Sequence, residues 1–331
     1  MLERLTRFIE HNWYQPTPGW NYALLPLWLL AAPFILLKRW RAQRNPVATL
    51  KTPVVVVGNI TVGGTGKTPL ITWLVKRVES LGYRAAIVSR GYGGEAEDYP
   101  LMVQRDTPVS LCGDEPKLLQ RRLNCPVVVD PLRRRAVELL NGEVDIIFSD
   151  DGLQHYGMGR NAEILVVDAQ RGFGNGWLLP VGPLREPLNR AKEVDLVLQN
   201  GQDFNVIASR LVNAKDGREQ PLEWLRGREL HAVAGIGNPQ RFYNTLAHHG
   251  ARVQQHSFAD HHQFSVSDLL FDDQLPVVMT EKDWVKCAGF ARQHMWYLVV
   301  DADLAESSAP IDQLLQRLLQ ADERDPKSLT E

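Results

Sequence analysis

The segment VVVVGNITVGGTGKTP, residues 54–69, carries the residue types that grip a nucleotide's phosphates. Glycines let backbone N–H groups turn inward around oxyanions, and Gly63, Gly64 and Gly66 supply them. Lys67 is the cation for the outer phosphates and Thr68 offers a hydroxyl to Mg²⁺. A helix starting there would aim its N-terminus at the anion. Thr61, Val62 and Thr65 complete the loop. The strict pattern GxxxxGK[ST] wants glycine where this chain has Thr61, so the loop geometry is expected to differ, with Gly63-Gly64 compensating. A chance GKT is the competing reading, and strand, loop and helix in register count against it.

Phosphoryl transfer also needs Mg²⁺, which takes few protein carboxylates beside phosphates and waters. VDIIFSDDGLQH, residues 144–155, puts Asp150 and Asp151 at the C-terminal end of an apolar strand, the edge where ligands of open α/β sheets collect. A capped turn is the alternative. Asp114-Glu115 in CGDEPKLL precedes a helix and by itself reads as an N-cap. FADHHQF, residues 258–264, sets Asp260, His261 and His262 between aromatics. Adjacent histidines on a strand point to opposite faces, so metal binding is not expected, while one His with a carboxylate makes a proton-transfer pair.

These groups need a scaffold. Residues 53–57 (PVVVV) read as a buried parallel strand, and residues 67–81 as a helix with Leu70, Ile71, Leu74, Val75 and Val78 on one face. Strands follow at 85–89, 127–130, 146–149 and 164–168, with helices at 115–123 and 133–140. That alternation implies a parallel sheet covered on both faces. Glycine and proline break the pattern over 172–226 into loops, apart from a strand at 194–198. A second α/β unit follows: strand 230–234, helix 240–249, strands 277–279 and 296–300, an amphipathic helix 310–319 and a polar tail, 322–331. The expected division is a membrane-associated segment 1–44, a P-loop core 45–170, linker and loops 171–226, and a second domain 227–325.

With 331 residues, 44% apolar and 23% charged, the composition is that of a folded soluble protein of more than one domain. A net charge of −2 argues for no nucleic-acid partner, and no obligate protein partner is evident. Cys112, Cys125 and Cys287 form no CxxC pair and read as unlinked thiols in a reducing compartment. Residues 20–37 (WNYALLPLWLLAAPFILL) are followed by Lys38, Arg39, Arg41 and Arg44. This reads as a membrane anchor, either spanning or lying in the interface, with the rest of the chain cytoplasmic. A buried core helix is the alternative. A cleaved signal peptide is not expected, since basic residues stand where its small-residue site belongs.

GNITVGGTGKTP, SRGYGG, GDEP, DDGLQH, GPLREP, GIGNPQRF, FADHHQF and TEKDWVK occur in an order that resembles the tetraacyldisaccharide 4'-kinases of Gram-negative lipid A synthesis, over about residues 15–300. The resemblance implies a P-loop core joined by a short β-ribbon to a smaller α/β domain, with the site between them. It implies ATP and Mg²⁺ as donor and cofactor. The acceptor would be the 4'-hydroxyl of a tetraacylated glucosamine disaccharide 1-phosphate, and the place the cytoplasmic face of the inner membrane. It turns Asp114 from cap into catalytic base with His261 as its partner, makes Glu115 a magnesium-site residue, and sets Asp150, Asp151 and Gln154 in the Walker B region. Arg90, in SRGYGG, and Arg185, in GPLREP, are candidates for substrate contacts, and the run 133–135 for a solvated or headgroup-facing helix surface. The rival function is a membrane-associated P-loop ATPase or GTPase of switch or assembly type. The anchor also suggests that deleting residues 1–40 would weaken membrane association more than ATP binding.

Overall fold

The computed structural model describes residues 9–15, 19–43, 50–304 and 308–322. Arg44 and the tail beyond Asp322 therefore lie outside the described residues. Two α/β sheets organise the chain. The first runs in the order β3-β4-β2-β5-β1-β6-β7, with β1 (Val54–Gly58), β2 (Ala85–Ser89), β3 (Leu101–Met102), β4 (Val127–Val129), β5 (Ile146–Asp150), β6 (Ala162–Asp168) and β7 (Leu196–Asn200). All its pairings are parallel except β3 with β4.

β1 shows why the sheet is covered on both sides. Its valines are all fully buried, and successive side chains alternate faces. Val55 and Val57 pack into one core with Leu70, Ile71 and Leu74 of helix α2 (Lys67–Ser80). Val54 and Val56 enter another with Ala136, Val137 and Leu140 of a helix at Arg133–Leu140. Ala32, on the apolar N-terminal helix α1 (Leu25–Gln43), joins that second core.

Helix α3 (Asp114–Arg122) and the Arg133–Leu140 helix, α4, complete the first unit. The second sheet runs β11-β10-β12-β13-β8-β9, with β8 (Asn205–Asn213), β9 (Glu219–Gln220), β10 (Glu229–Ala234), β11 (Arg252–Ser257), β12 (Val277–Thr280) and β13 (Met295–Asp303). Helix α5 (Pro239–His248) covers one face through Phe242, Tyr243 and Leu246, and α6 (Glu281–Cys287) the other through Trp284 and Val285.

The sequence reading missed β3, β8, β9 and β11. β8 pairs antiparallel with β13 along its whole length, with a register shift at Val299/Val300. The near halves of these two strands form the ribbon that leads from the first unit to the second sheet. The last helix, α7 (Ala309–Asp322), was placed with the second unit and packs instead on the first, where Ile311, Leu314 and Leu315 share a core with β1 and α2. The physical reason is that β13 runs back along the ribbon and delivers the chain to the first sheet. The three cysteines are buried and unlinked.

Candidate active site

The phosphate loop leaves β1 through Asn59 and returns into α2 at Lys67. Its first residues pair with the GPLREP segment: Arg185 N–H donates to Ile60 O at 2.7 Å, Val62 N–H to Pro183 O at 2.9 Å, and Thr61 bridges Leu184. Thr61 thus occupies an extended position that suits a β-branched residue, which is why the loop does without the glycine of the strict pattern. The turns fall at Gly63 and Gly66, with φ of 102° and 96°, where glycine alone is at ease.

Asn59, buried at 1% exposure, is the hub of this region and carried no role in the sequence reading. Its Nδ2 donates to Gly63 O at 3.1 Å, and its Oδ1 accepts from Lys67 Nζ at 3.3 Å and from Arg185. Its carbonyl accepts from Gln154 Nε2 at 3.0 Å and Arg185 at 2.7 Å. Gln154 and Arg185 therefore brace the loop.

Asp150 is the last residue of β5 and Asp151 follows it, and the two behave differently. Both oxygens of Asp151 accept from Arg185 at 2.9 Å, and Lys67 Nζ stands 3.4 Å away. Burial alone would raise its pKa, but Lys67 and Arg185 outweigh burial and hold the carboxyl well below the usual range. Asp150 is fully buried, and its Oδ1 finds no partner among the described residues. Burial, with the nearby Glu115 charge adding and Lys67 opposing, pushes it up to about 7. A buried carboxylate oxygen without a donor, crowded by a second carboxylate, is a setting that a hard divalent cation would satisfy. Asp150 is the carboxyl left for such a cation, with Glu115 near it but paired to Lys282, whereas Asp151 is held by Lys67 and Arg185.

Arg133, read as part of a surface run, is instead buried. Its guanidinium donates to Asp150 O at 2.8 Å and Asp151 O at 3.0 Å, fixing the strand end, while Arg134 and Arg135 pair with Glu138 and Asp130. Arg90 is exposed at the end of β2 and makes no hydrogen bond or ion pair among the described residues.

The second acidic group assembles across the junction of the two units. Asp114, 4% exposed, begins α3, and its Oδ2 lies 3.0 Å from His261 Nδ1. His261 is held in the left-handed region at φ 60° and packs 5.1 Å from the Tyr92 ring. Lys282 of α6 reaches Glu115 at 3.2 Å, Asp114 at 3.8 Å and Asp260 at 3.9 Å. For Asp114, burial raises the pKa, but the His261 hydrogen bond and then Lys282 outweigh it, so the carboxyl is lowered. The same hydrogen bond raises His261 against burial. Both shifts favour the charged forms, carboxylate and imidazolium. Asp114 can hold its place because Gly113, at φ 84°, lets α3 start against the SRGYGG loop. A Cβ on Gly113 would sit 2.4 Å from Tyr92 O. Lys282, in TEKD, went unassigned from sequence, because only the fold brings it to α3. The next residue, Asp283, is a brace: it accepts from Gly235 N–H at 2.9 Å and Thr280 Oγ1 at 2.6 Å.

The segment before α1 also belongs to the site. Trp13 is buried and donates to Pro180 O at 3.0 Å, and Tyr14 Oη lies 3.4 Å from Val62 O in the phosphate loop. Deleting residues 1–40 would therefore also remove the Trp13 and Tyr14 contacts to the loop region.

Comparison with known proteins gives a consistent picture. A family model for tetraacyldisaccharide-1-P 4'-kinase matches residues 20–320. A tetraacyldisaccharide 4'-kinase of Nitrosococcus oceani is 46% identical over 320 residues, covering 93% of this chain and 94% of that protein. One of Pseudomonas putida is 47% identical over 322 residues, covering 93% and 96%. Among solved structures, the "apo" form of LpxK from Aquifex aeolicus in complex with ATP matches with a TM-score of 0.76 at 26% identity, covering 91% of this chain and all of that one.

Proposed function

This chain belongs to the tetraacyldisaccharide 4'-kinase family, and we propose how its residues divide the work of phosphorylating the 4'-hydroxyl of a tetraacylated glucosamine disaccharide 1-phosphate. ATP is the donor. The amides of the loop from Thr61 to Thr68 cradle its phosphates, and Lys67 leaves Asp151 to meet the charge that builds on the transferred group. Asp150, with Glu115 and Thr68, would hold Mg²⁺, which when bound would neutralise charge on the outer phosphates. Asp151 keeps Arg185 braced against the loop and holds Lys67 there until nucleotide binds. Asp114 takes the proton of the sugar hydroxyl as its oxygen bonds to the γ-phosphorus and the bond to ADP breaks. His261 holds Asp114 ionised and oriented, and the two titrate as a unit. Arg90, exposed and unpaired beside this cleft, meets an anionic part of the lipid.

The single observation that carries this reading is the 3.0 Å contact between Asp114 and His261 across the junction, because it joins the two units at a proton-transfer pair. The test is Asp114→Asn. Transfer to the disaccharide falls by about 10²- to 10⁴-fold, the range of a lost general base, while ADP binding stays within about threefold. Wild-type transfer by Asp114→Asn would refute the assignment.

A substrate with four acyl chains hardly leaves the bilayer, at about 0.8 kcal/mol per buried CH₂, so the enzyme has to meet it there. Residues 20–41 form a helix long and apolar enough to cross a membrane, with a mean hydropathy of 1.6. We place it in the interface instead. One face is docked on the core: Ala32 is buried, Trp28 packs edge-on to Trp177 at 5.1 Å, and Arg39 pairs with Glu193. Leu29, Leu30, Phe34 and Trp40 project outward. A helix fastened near both ends to the kinase core lies flat on the cytoplasmic leaflet with this face in the acyl region.

A further inference from the structure

Asn200 ends β7, and at 4% exposure its side chain is buried, so each of its polar atoms needs a partner. Both have one. Nδ2 donates to Thr65 O at 3.2 Å, and Oδ1 accepts from Val206 N–H at 3.3 Å. The orientation of the amide follows from these neighbours, since a carbonyl can only accept and a backbone N–H can only donate. Its backbone is tied as well, with Ala169 N–H donating to Asn200 O at 2.9 Å.

Thr65 O and Gly66 N–H belong to one planar trans peptide, so they point in opposite directions. Anchoring the carbonyl on Asn200, outside the loop, turns the Gly66 N–H toward the concave side where phosphate oxygens would sit. The peptide is otherwise free to turn over, because Gly66 stands at φ 96° without a side chain to resist it. A side chain there is excluded twice, since a Cβ would lie 2.8 Å from Asn200 Nδ2 and 3.0 Å from Val206 Cγ2. Val206, the other partner, is the second residue of β8 and stands at the root of the ribbon that carries the second sheet.

We propose that Asn200 is a positioning residue for phosphate recognition, holding the Thr65–Gly66 peptide outward so that the Gly66 amide faces the nucleotide. Through Val206 the same amide fastens the loop to the ribbon. The inference rests on the phosphate-loop reading above and adds a residue that neither the loop motif nor the site's charged groups indicate.

Asn200→Asp is the discriminating variant. It is isosteric and keeps the acceptor for Val206 N–H, but replaces the donor to Thr65 O with an oxygen, so it tests the lost donor even where Asn200→Ala fails to fold. The measurements are dissociation constants for ADP and for adenosine, steady-state kinetics with ATP, and thermal midpoints without nucleotide, for the full chain carrying Asn200→Asp, Asn200→Ala or Lys67→Ala. The expected result is ADP binding weakened about tenfold or more in both Asn200 variants. KM for ATP rises in parallel, kcat at saturating ATP stays within about threefold, and adenosine binding holds even where the thermal midpoint drops. ADP binding at the wild-type level in Asn200→Asp, or equal losses for ADP and adenosine, would overturn the proposal. If Lys67→Ala weakens ADP binding and Asn200→Asp does not, only the role of Asn200 falls. If neither does, the phosphate-loop reading falls with it.

Discussion

Replacing Arg122 by Met should destabilise the protein more at pH 8 than at pH 6, and the difference can be worked from the structure. Arg122, 8% exposed on α3, donates to Val300 O at 2.9 Å, pairs with Asp301 at 2.6 Å and approaches Glu281 at 3.4 Å. Losing the first two contacts costs about 1–3 kcal/mol at either pH. The Glu281 contribution depends on pH. Burial, opposed by Arg122, pushes that carboxyl from 4.5 up to about 7. A folded-state pKa above the unfolded one means stability that is present below about 4.5 and lost as pH rises through about 7. In Arg122→Met the opposing charge is gone and the pKa moves higher still, so Glu281 remains protonated where the wild type has begun to ionise. At pH 6 both proteins carry neutral Glu281. At pH 8 the variant forgoes the ion pair, and the linkage relation gives about 1.4 kcal/mol, one pH unit above the wild-type pKa. Thermal melts of both proteins at pH 6 and 8 read this as an extra drop in midpoint of about 3 °C at pH 8. Arg122→Met/Glu281→Gln should abolish the extra drop. A cost that is the same at both pH values, or larger at pH 6, would refute the reasoning.

Asp150→Asn should separate stability from turnover. The buried carboxyl loses stability as pH rises from 3.8 to about 7. In metal-free buffer at pH 8 the variant should therefore be more stable by on the order of 2 kcal/mol in urea titrations, while phosphate transfer falls at least about 10²-fold. His261→Ala should lower kcat by about 10²-fold with ADP binding unchanged, which stopped-flow transfer and calorimetry can check together. Leu30→Asp/Phe34→Asp, on the exposed face of α1, should cut sedimentation with anionic vesicles several-fold without moving the thermal midpoint, because neither side chain enters the core.

The regular elements of the first sheet were legible because their residues leave little choice. Four consecutive valines with glycine behind them make a buried strand, and five apolar residues at helical spacing make α2. β11 was not legible, since RVQQHS on an exposed edge shows no apolar period. Nor was β8, whose first half lies in a ribbon with little to bury. Among the site residues, those in the loop and the paired aspartates were visible as local motifs, whereas Asp114 by itself reads as a helix cap and is joined to His261 only by the family resemblance. Asn59, Asn200, Arg133 and Lys282 were not, because their partners lie far away in sequence and only the folded chain makes the contacts. Arg133 illustrates the limit: three successive arginines look like a solvated helix face, yet the first of them is turned inward to carbonyls at the end of β5.

The most direct test follows the γ-phosphate of labelled ATP in vesicles containing a tetraacyldisaccharide 1-phosphate, with the product's site of phosphorylation read by mass spectrometry. Label should enter the lipid at the 4'-hydroxyl, only when lipid is present, and vanish with Lys67→Ala. Steady release of inorganic phosphate without the lipid, at the same rate as with it, would contradict the account and favour a nucleotide-hydrolysing switch.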